Sequence, residues 1–332
     1  MSHGIDTVNG KATMAYAHDA KKPWHSLGNQ LTPDADDETW LRESGLNFEV
    51  LGGELLFRDA NGNLHNASKA LNRRVLYRAD SLAPLSVMSE NRYNIHQPRD
   101  VFAFHAEVSR KMGWPMHTAG ALFGGRKIWA LAKLPEAITL ARGDKVEGHL
   151  LSAGSFDGST GSEFRFVSEC VVCANTLQMA LDEKAQGTTV YHSSSFDAAK
   201  IASQLGVYEK VWGGFIEIAK RLAAIKVTRT DAIQILKKVY PEKLVVKGVA
   251  RKLSDDEFLS ESEAAAGVLR LFEGDGMGAD LTSRMSTGWG LVNAVTQRVD
   301  HHGSNRNAKL NSAWFGAGAA KKAAVVDAVL AL

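Results

Sequence analysis

Residues 117–134 read HTAGALFGGRKIWALAKL, and this stretch decides the fold that the sequence predicts. Two runs of strand-forming residues flank Gly124-Gly125, and a diglycine supplies the positive φ angles that a tight hairpin turn requires. A second pair of runs follows at 147–155 and 163–174, on either side of the turn-forming segment FDGS at 156–159. We therefore predict an antiparallel meander over residues 117–181.

The last run of the meander, EFRFVSECVVCA, leads directly into Asn175-Thr-Leu-Gln178. Asn at a helix N-cap and Gln three residues later can satisfy each other's backbone amides. We therefore predict that Asn175 caps a helix over residues 176–184, and that this helix packs on one face of the sheet.

The rest of the chain predicts strands before the meander and helices after it. Asn61-Gly62 indicates a hairpin between strands at 48–57 and 64–77, and a helix is expected at 101–112 between Pro98 and Gly113. Helical patterns recur at 196–225, 230–239, 258–272, 287–299 and 316–332. The expected fold class is α+β, an antiparallel meander with helices on one face, in a mostly β domain (1–185) followed by a mainly helical region (186–332).

Composition is that of an ordinary globular protein. The chain has 332 residues, of which 45% are hydrophobic and 23% charged, so we do not expect a largely disordered chain. No apolar run is long enough to span a bilayer, and the first residues contain no apolar signal segment. We expect a cytoplasmic protein with no membrane partner.

The formal net charge is only +2, but the charges are arranged in blocks. Residues 61–145 hold thirteen Lys and Arg against six Asp and Glu, residues 201–252 hold eleven against four, and residues 301–332 hold four against one. If these basic blocks share a face, the protein can bind a polyanion. The alternative is that acidic and basic blocks neutralise each other within the fold.

Several segments resemble one family along nearly the whole chain. They are MAYAHDAKKPWHSLG, SGLNFEV, the segment around 91–104, AGALFGGRKIWALAKL, SFDGS, VVCANTL, WGLVNAVTQRVDHH and WFGAGAAKK. They resemble the phage/plasmid-like proteins, a domain of unknown function found in large bacteriophages, plasmids and integrated elements. The resemblance implies genes that handle mobile DNA, and host cytoplasm for a phage protein. The chain departs from the family pattern at Phe156, where His is usual, and at Cys170, where Arg is usual.

The function we expect is phosphate-directed binding of nucleic acid, with single-stranded DNA as the expected partner and a single-strand-annealing-like role as a fold-level analogy. A sheet with a helix across it would present cations to the phosphates and aromatic rings to the bases. The candidate contacts are Arg126, Lys127, Arg165, Arg306, Lys309, Lys321 and Lys322.

A metal-dependent hydrolase or nuclease is the alternative. Asp300, His301 and His302 follow a predicted helix and could bind a metal ion together with a carboxylate such as Asp157. The same residues also fit a helix C-terminus, where a protonated histidine is favoured by the helix dipole. A non-catalytic interaction or structural role is a further alternative, so the sequence leaves open whether the protein is an enzyme.

Cys170 and Cys173 are too few for a disulfide framework and precede the predicted helix, so we expect structural cysteines and not a redox centre. A zinc site would have to add His192, His301 or His302. No glycine-rich segment has the context of a nucleotide-binding loop, so no cofactor is predicted. Formation of a homo-oligomer is left open.

Overall fold

The computed structural model describes most of the chain. The described residues are 5, 7–8, 11–19, 27–170, 175–178, 187–197, 208–240, 244–246, 249–251, 253–302 and 316–332. The chain forms two compact units. The first unit comprises residues 1–135, 149–166 and 187–207, and the second comprises 136–148, 167–186 and 208–332.

The elements confirm the α+β class. The strands are β1 Thr7–Val8, β2 Lys11–Ala12, β3 Met14–Tyr16, β4 Asn29–Gln30, β5 Val50–Glu54, β6 Leu56–Arg58, β7 Leu64–Asn66, β8 Arg73–Arg78, β9 Pro84–Ser89, β10 Met116–Leu122, β11 Lys127–Ala141, β12 Asp144–Ser155, β13 Ser162–Cys170, β14 Asn175–Gln178, β15 Thr188–Val190, β16 Leu244–Val246 and β17 Val249–Arg251. The helices are α1 Asp37–Glu43, α2 Ser68–Leu71, α3 Pro98–Met112, α4 Tyr208–Ala224, α5 Arg229–Val239, α6 Asp255–Glu261, α7 Glu263–Arg270, α8 Gly288–His301 and α9 Ala317–Leu330. None of the helices within the described residues is long and apolar enough to cross a membrane.

The predicted meander is present. β10, β11, β12 and β13 are neighbours in chain order within a sheet whose path is β14-β13-β12-β11-β10-β3-β4, with β15 also paired to β13. The turn between β10 and β11 is a short 3₁₀ segment, Phe123–Gly125, in which Gly124 and Gly125 have φ angles of 72° and 93°. These positive φ angles are the ones that a tight turn at the diglycine requires.

The predicted helix at 176–184 is wrong at its start. Asn175–Gln178 is strand β14, which pairs antiparallel with β13 so that Cys170 lies opposite Asn175 and Val167 opposite Gln178. Asn175 is therefore not a helix cap. Pairing with the edge of β13 satisfies the backbone amides and carbonyls of residues 175–178. These hydrogen bonds form in place of the local capping interaction that the sequence predicts. Residues 179–184 lie outside the described part of the chain.

Helix α3 covers one face of the meander in the first unit. Pro98 occupies its first turn, and Gly113, with φ 68°, ends it in the left-handed conformation, as the sequence predicts. Its buried side packs on the sheet through Phe104, whose ring centroid lies 4.8 Å from that of Phe164, and His105, whose Nδ1 lies 2.7 Å from Ser152 Oγ. Because strand side chains alternate, residues next to Phe164 and Ser152 in sequence point to the opposite face.

A three-stranded sheet and a separate hairpin complete the first unit. The sheet has the order β5-β8-β9, and β6 and β7 form a two-stranded sheet among the described residues. The hairpin predicted at Asn61-Gly62 is present, with Phe57 opposite His65 and Gly62 at φ 87°. The long predicted strand at 64–77 is interrupted by α2, which ends at Asn72 in a left-handed conformation with φ 49°.

The second unit is mainly helical. Its α8 is buried along nearly all of its length and packs against α4, α7, α9 and β14. The predicted helix at 258–272 is divided into α6 and α7 at Ser262, whose backbone is not helical (φ −109°, ψ 86°) and whose hydroxyl caps α7.

Candidate functional site

Three residues that the sequence singled out come together in the first unit. Lys127, Asp157 and Arg165 join Glu163 to form a group that we name the buried charged cluster. Lys127 Nζ lies 3.9 Å from Asp157 Oδ2, and Arg165 Nη2 lies 2.5 Å from Glu163 Oε2. Lys127 and Glu163 are almost fully buried, at 5% and 7% exposure. The charges therefore balance one another inside the protein.

Burial changes the proton affinity of this cluster. It lowers the pKa of Lys127, although Asp157 and Glu163 act in the opposite direction. It also raises the pKa of Glu163, with Arg165 and Lys127 opposing the shift. Both shifts follow from the cost of keeping a charge away from water. A lysine held in this way is poorly placed to neutralise a phosphate at the surface.

The other predicted cations have different surroundings. Arg126 is exposed in the first unit. In the second unit, Lys321 Nζ lies 4.5 Å from the ring centroid of Tyr240, and Lys322 is buried at 2% exposure with its Nζ 2.5 Å from Asp300 Oδ1. Arg306 and Lys309 lie outside the described residues. Of the five predicted contacts that the structure describes, Lys127 and Lys322 are therefore buried.

The proposed metal ligands lie at the end of α8. Asp300 and His301 are its last residues, and His302 is the C-cap. Asp300 already holds the buried ammonium of Lys322, so a metal ion would have to displace that cation. Within the described ranges, no group of three or more His, Cys, Asp or Glu is arranged to hold a metal ion. Cys170 ends β13, and Cys173 lies outside the described residues.

A second buried carboxylate, Asp144, forms hydrogen bonds with three side chains. Asp144, which is inaccessible to solvent, accepts hydrogen bonds from Arg284 Nη2 at 2.6 Å, Ser283 Oγ at 2.5 Å and Trp289 Nε1 at 3.0 Å. Burial by itself would raise the pKa of Asp144, but the hydrogen bond and charge of Arg284 outweigh it, so the pKa lies below its usual value. With its partners in place, this group holds the core of the second unit together.

The β6–β7 hairpin exposes non-polar side chains in the first unit. Phe57 is 53% exposed and stacks on His65, with 5.2 Å between ring centroids and 24° between ring planes. On the opposite face of the same two strands, Leu56 and Leu64 are 43% and 56% exposed. A two-stranded hairpin with both faces in water is marginally stable alone, and exposed apolar groups of this kind mark contact surfaces.

The carboxylate of Asp59 forms hydrogen bonds within the hairpin. Asp59 accepts hydrogen bonds from the backbone amides of Asn61 and Asn63 at 2.9 Å, and its Oδ2 lies 2.9 Å from His65 Nε2. The contact with His65, followed by these amides, lowers the pKa of Asp59. Its charge therefore fixes the turn and orients His65.

Three exposed cations flank the base of this hairpin. The backbone amide of Leu55 donates to Ser68 Oγ at 2.7 Å, which joins the hairpin to α2 and so to Lys69. Arg73 lies opposite Ser89 in the pairing of β8 with β9. The backbone amide of Glu90 donates to the carbonyl of Asn72. This contact brings the segment that leads to Arg92 to the same edge. Lys69, Arg73 and Arg92 are exposed.

None of these three cations forms an ion pair among the described residues. By contrast, Arg99 pairs with Glu38, Arg110 Nη2 lies 2.5 Å from Asp37, and Lys111 Nζ lies 2.5 Å from Glu107. We name Phe57, His65, Lys69, Arg73 and Arg92 the hairpin surface. It combines aromatic rings in water with unpaired positive charge.

Comparison with known proteins identifies a family. The model of the domain of unknown function DUF932 matches residues 84–315, which is more than two thirds of the chain. The chain belongs to the DUF932 family. No curated protein and no solved structure matches it.

The DUF932 match separates the two groups of side chains. The buried charged cluster lies entirely within the matched residues, whereas Phe57, His65, Lys69 and Arg73 precede residue 84 and only Arg92 follows it. The DUF932 region therefore contains strands β10 to β15 of the long sheet and most of the helical unit. The hairpin surface is built largely from residues outside the family match.

Sequence reasoning missed the hairpin surface and Glu163, although signals for both were present. Phe57 and His65 lie four residues on either side of Asn61, so a hairpin centred there places them opposite each other. In EFRF, Glu163 and Arg165 alternate with Phe164 and Phe166, which places both charges on one face. The ion pairs of individual cations depend on long-range contacts that one sequence does not reveal.

Proposed function

We propose that the protein binds single-stranded nucleic acid through the hairpin surface. The observation that carries this proposal is the exposed Phe57–His65 stack next to three exposed cations that form no ion pairs among the described residues. Proteins that bind single strands without strong sequence preference combine these two features, since rings stack on bases and cations follow the phosphates.

The exposed ring favours single strands over duplexes. In a duplex the faces of the bases are stacked on each other, so Phe57 can reach a base face only in an unpaired strand. The cations supply the charge complementarity that a purely apolar protein partner would not need. Two exposed carboxylates lie near the same edge: Glu90, and Glu54, which precedes Leu55 and pairs opposite Arg74. Both should weaken phosphate binding slightly.

The proposed setting is the handling of mobile DNA. The segments that resemble phage/plasmid-like proteins support a role in recombination or strand annealing, within the cytoplasm of the host cell. Self-association along a bound strand fits this role, because cooperative binding is usual for such proteins. We propose DNA as the natural strand and treat RNA as an outcome of the test.

Fluorescence anisotropy with a labelled oligothymidylate tests the proposal. Wild-type protein should bind at low salt, prefer the single strand to a duplex, and lose affinity with salt at a log–log slope of about −0.7 per phosphate contact. The variant Lys69→Met/Arg73→Met/Arg92→Met should bind more weakly, with a slope shallower by about two units. An oligouridylate and a matched RNA duplex distinguish DNA from RNA.

The matched control removes three cations that already have partners. Arg99→Met/Arg110→Met/Lys111→Met has the same change in net charge, but its side chains are each paired with a carboxylate. It should retain most of the wild-type affinity. Failure of the wild-type protein to bind any oligonucleotide at low salt, or equal losses in the two triple variants, would overturn the proposal.

A further inference from the structure

The tip of the β6–β7 hairpin is an asparagine followed by a glycine. Asn61 and Gly62 are both exposed. A Cβ atom built on Gly62, whose φ is 87°, would meet no heavy atom within 4 Å. The hydrogen bond that the structure gives Asn61 is made by its backbone amide, which donates to Asp59 Oδ1. The Asn61 side chain and the Gly62 backbone are therefore accessible to water.

An asparagine in this setting can react with its own backbone. Gly62 N attacks Asn61 Cγ, a base in the solvent takes the Gly62 N–H proton, and the Cγ–Nδ2 bond breaks to release ammonia, which takes its third proton from water. The product is a cyclic imide. Water then opens the imide at Cγ to give aspartate, or at the main-chain carbonyl to give isoaspartate. Glycine favours the attack because no side chain obstructs its nitrogen and its backbone is free to rotate.

One backbone hydrogen bond of the fold opposes the attack. Gly62 N donates to Asp59 O at 3.0 Å. Because the turn is exposed, water can replace this bond at little net cost. The two-stranded sheet of β6 and β7 has both faces in water, and such a hairpin opens readily. We propose that Asn61 is a site of spontaneous deamidation, which requires only water and a solvent base.

Two further asparagines of the hairpin provide an internal comparison. Asn63 Nδ2 donates to the carboxylate of the turn at 3.1 Å, and Asn66 Oδ1 accepts the first backbone amide of α2 at 2.9 Å. The residues that follow them, Leu64 and Ala67, each carry a Cβ beside the attacking nitrogen. Both side chains are thus held and both attacks are obstructed, so the reaction should be confined to Asn61.

The isoaspartyl product would disrupt the turn that supports the hairpin surface. Asp59 Oδ1 accepts the amides of Asn61 and Asn63, and Asp59 N donates to Asn63 O at 3.0 Å. Isoaspartate adds a main-chain carbon between these groups and a new carboxylate, so the register that places Phe57 opposite His65 is lost. Deamidation should therefore weaken nucleic-acid binding. This consequence rests on the proposed function, whereas the modification itself does not.

Peptide mapping of the full chain tests the modification. Purified protein is kept in mildly alkaline buffer at physiological temperature, and the tryptic peptide 59–69, which contains all three asparagines, is analysed by mass spectrometry and by isoaspartyl methyltransferase labelling. A fresh sample digested in parallel corrects for reaction during digestion. The acid form should accumulate at Asn61, while Asn63 and Asn66 remain amides.

Two variants provide the matched comparison. Asn61→Gln should abolish the labelling, because its longer side chain would have to close a larger ring. Asn63→Gln changes the neighbouring asparagine in the same way and should retain it. Equal reaction at all three asparagines, labelling that persists in Asn61→Gln, or a folded protein that stays unmodified while the isolated peptide 59–69 reacts would overturn the proposal.

The effect on binding is measured separately. Aged wild-type protein should bind oligothymidylate at least about fivefold more weakly than fresh protein, the loss expected for one stacked base. Aged Asn61→Gln should keep the affinity of its fresh sample. Confirmed deamidation without a change in affinity would support the modification site and contradict the proposed function, so the two can fail independently.

Discussion

Lys127 and Lys69 belong to the same basic block of the sequence, yet their surroundings are opposite. Lys127 is 5% exposed and lies beside Asp157 in the buried charged cluster. Lys69 is exposed on a short helix beside the hairpin, and no ion pair within the described residues holds it. Net charge in a segment therefore does not measure the charge that the protein offers to a ligand.

The difference follows from where each residue sits in its element. Lys127 occupies an alternating position on a strand whose neighbours are buried, so its charge requires counterions inside the protein. The residues of the hairpin surface lie at an edge where water solvates both faces, so their charges need no partner to be tolerated. Within the block at 61–145, Arg99 and Arg110 pair with Glu38 and Asp37 of helix α1. The alternative of mutual neutralisation thus holds for part of the block and fails for the hairpin surface.

The largest expected effect is the loss of a buried partner. Asp144→Ala leaves Arg284 buried without its carboxylate, so we expect the free energy of unfolding to fall by about 3–5 kcal/mol. Glu107→Ala, which removes only the exposed partner of Lys111, should cost less than about 0.5 kcal/mol. Urea unfolding followed by circular dichroism measures both. Similar losses in the two variants would erase the distinction between buried and exposed pairs.

Removing the exposed ring of Phe57 should have the next largest effect. This effect is on binding and not on stability. Phe57→Ala should weaken oligothymidylate binding by about 1–3 kcal/mol, the usual contribution of one base stacked on an aromatic ring. Tyr191→Ala is the matched control, because Tyr191 is also an exposed aromatic residue of the first unit, at 68% exposure. Anisotropy titrations should show a loss for Phe57 alone. Equal affinity of both variants and wild type would show that no base stacks on Phe57.

Lowering the pH should destabilise the protein because of its buried histidines. Unfolded histidine takes up a proton near pH 6.5, whereas burial keeps His149 neutral well below that pH and lowers the pKa of His192 to about 4. The unfolded state then binds more protons, so the free energy of unfolding falls as the pH drops below 6.5.

His149→Phe removes one of these groups. Between pH 7.5 and pH 5.5 the variant should lose about 1 kcal/mol less than the wild type. Urea unfolding at the two pH values, in a phosphate-free buffer, measures the difference. Parallel profiles for the two proteins would mean that His149 is protonated equally in the folded and unfolded states.

The smallest expected change is an increase in affinity. Glu90→Gln removes one carboxylate near the edge of the hairpin surface, so oligothymidylate should bind about twofold more tightly at low salt. The difference should shrink as salt screens the charge. Anisotropy at two salt concentrations measures it. Weaker binding by this variant would place the nucleic acid on another surface.

Local chemistry made much of the fold predictable. Gly62, Gly113, Gly124 and Gly125 each adopt the positive φ that their turn or cap requires, so the hairpins and the end of α3 follow from the sequence. The segment at 175–178 was mispredicted because a capping signal is local, whereas pairing with the edge of β13 depends on a strand already in place. Identification of the buried charged cluster required the same long-range information.

A photochemical cross-link locates the bound strand most directly. A 4-thiothymidine-substituted single strand is irradiated with the wild-type protein, and the cross-linked tryptic peptides are identified by mass spectrometry. Cleavage after Arg42, Arg58 and Lys69 places Phe57 in the peptide 43–58 and His65 in the peptide 59–69. The account predicts cross-links in these two peptides, which are lost in Phe57→Ala/His65→Ala. Cross-links confined to other peptides, and unchanged in that variant, would contradict it.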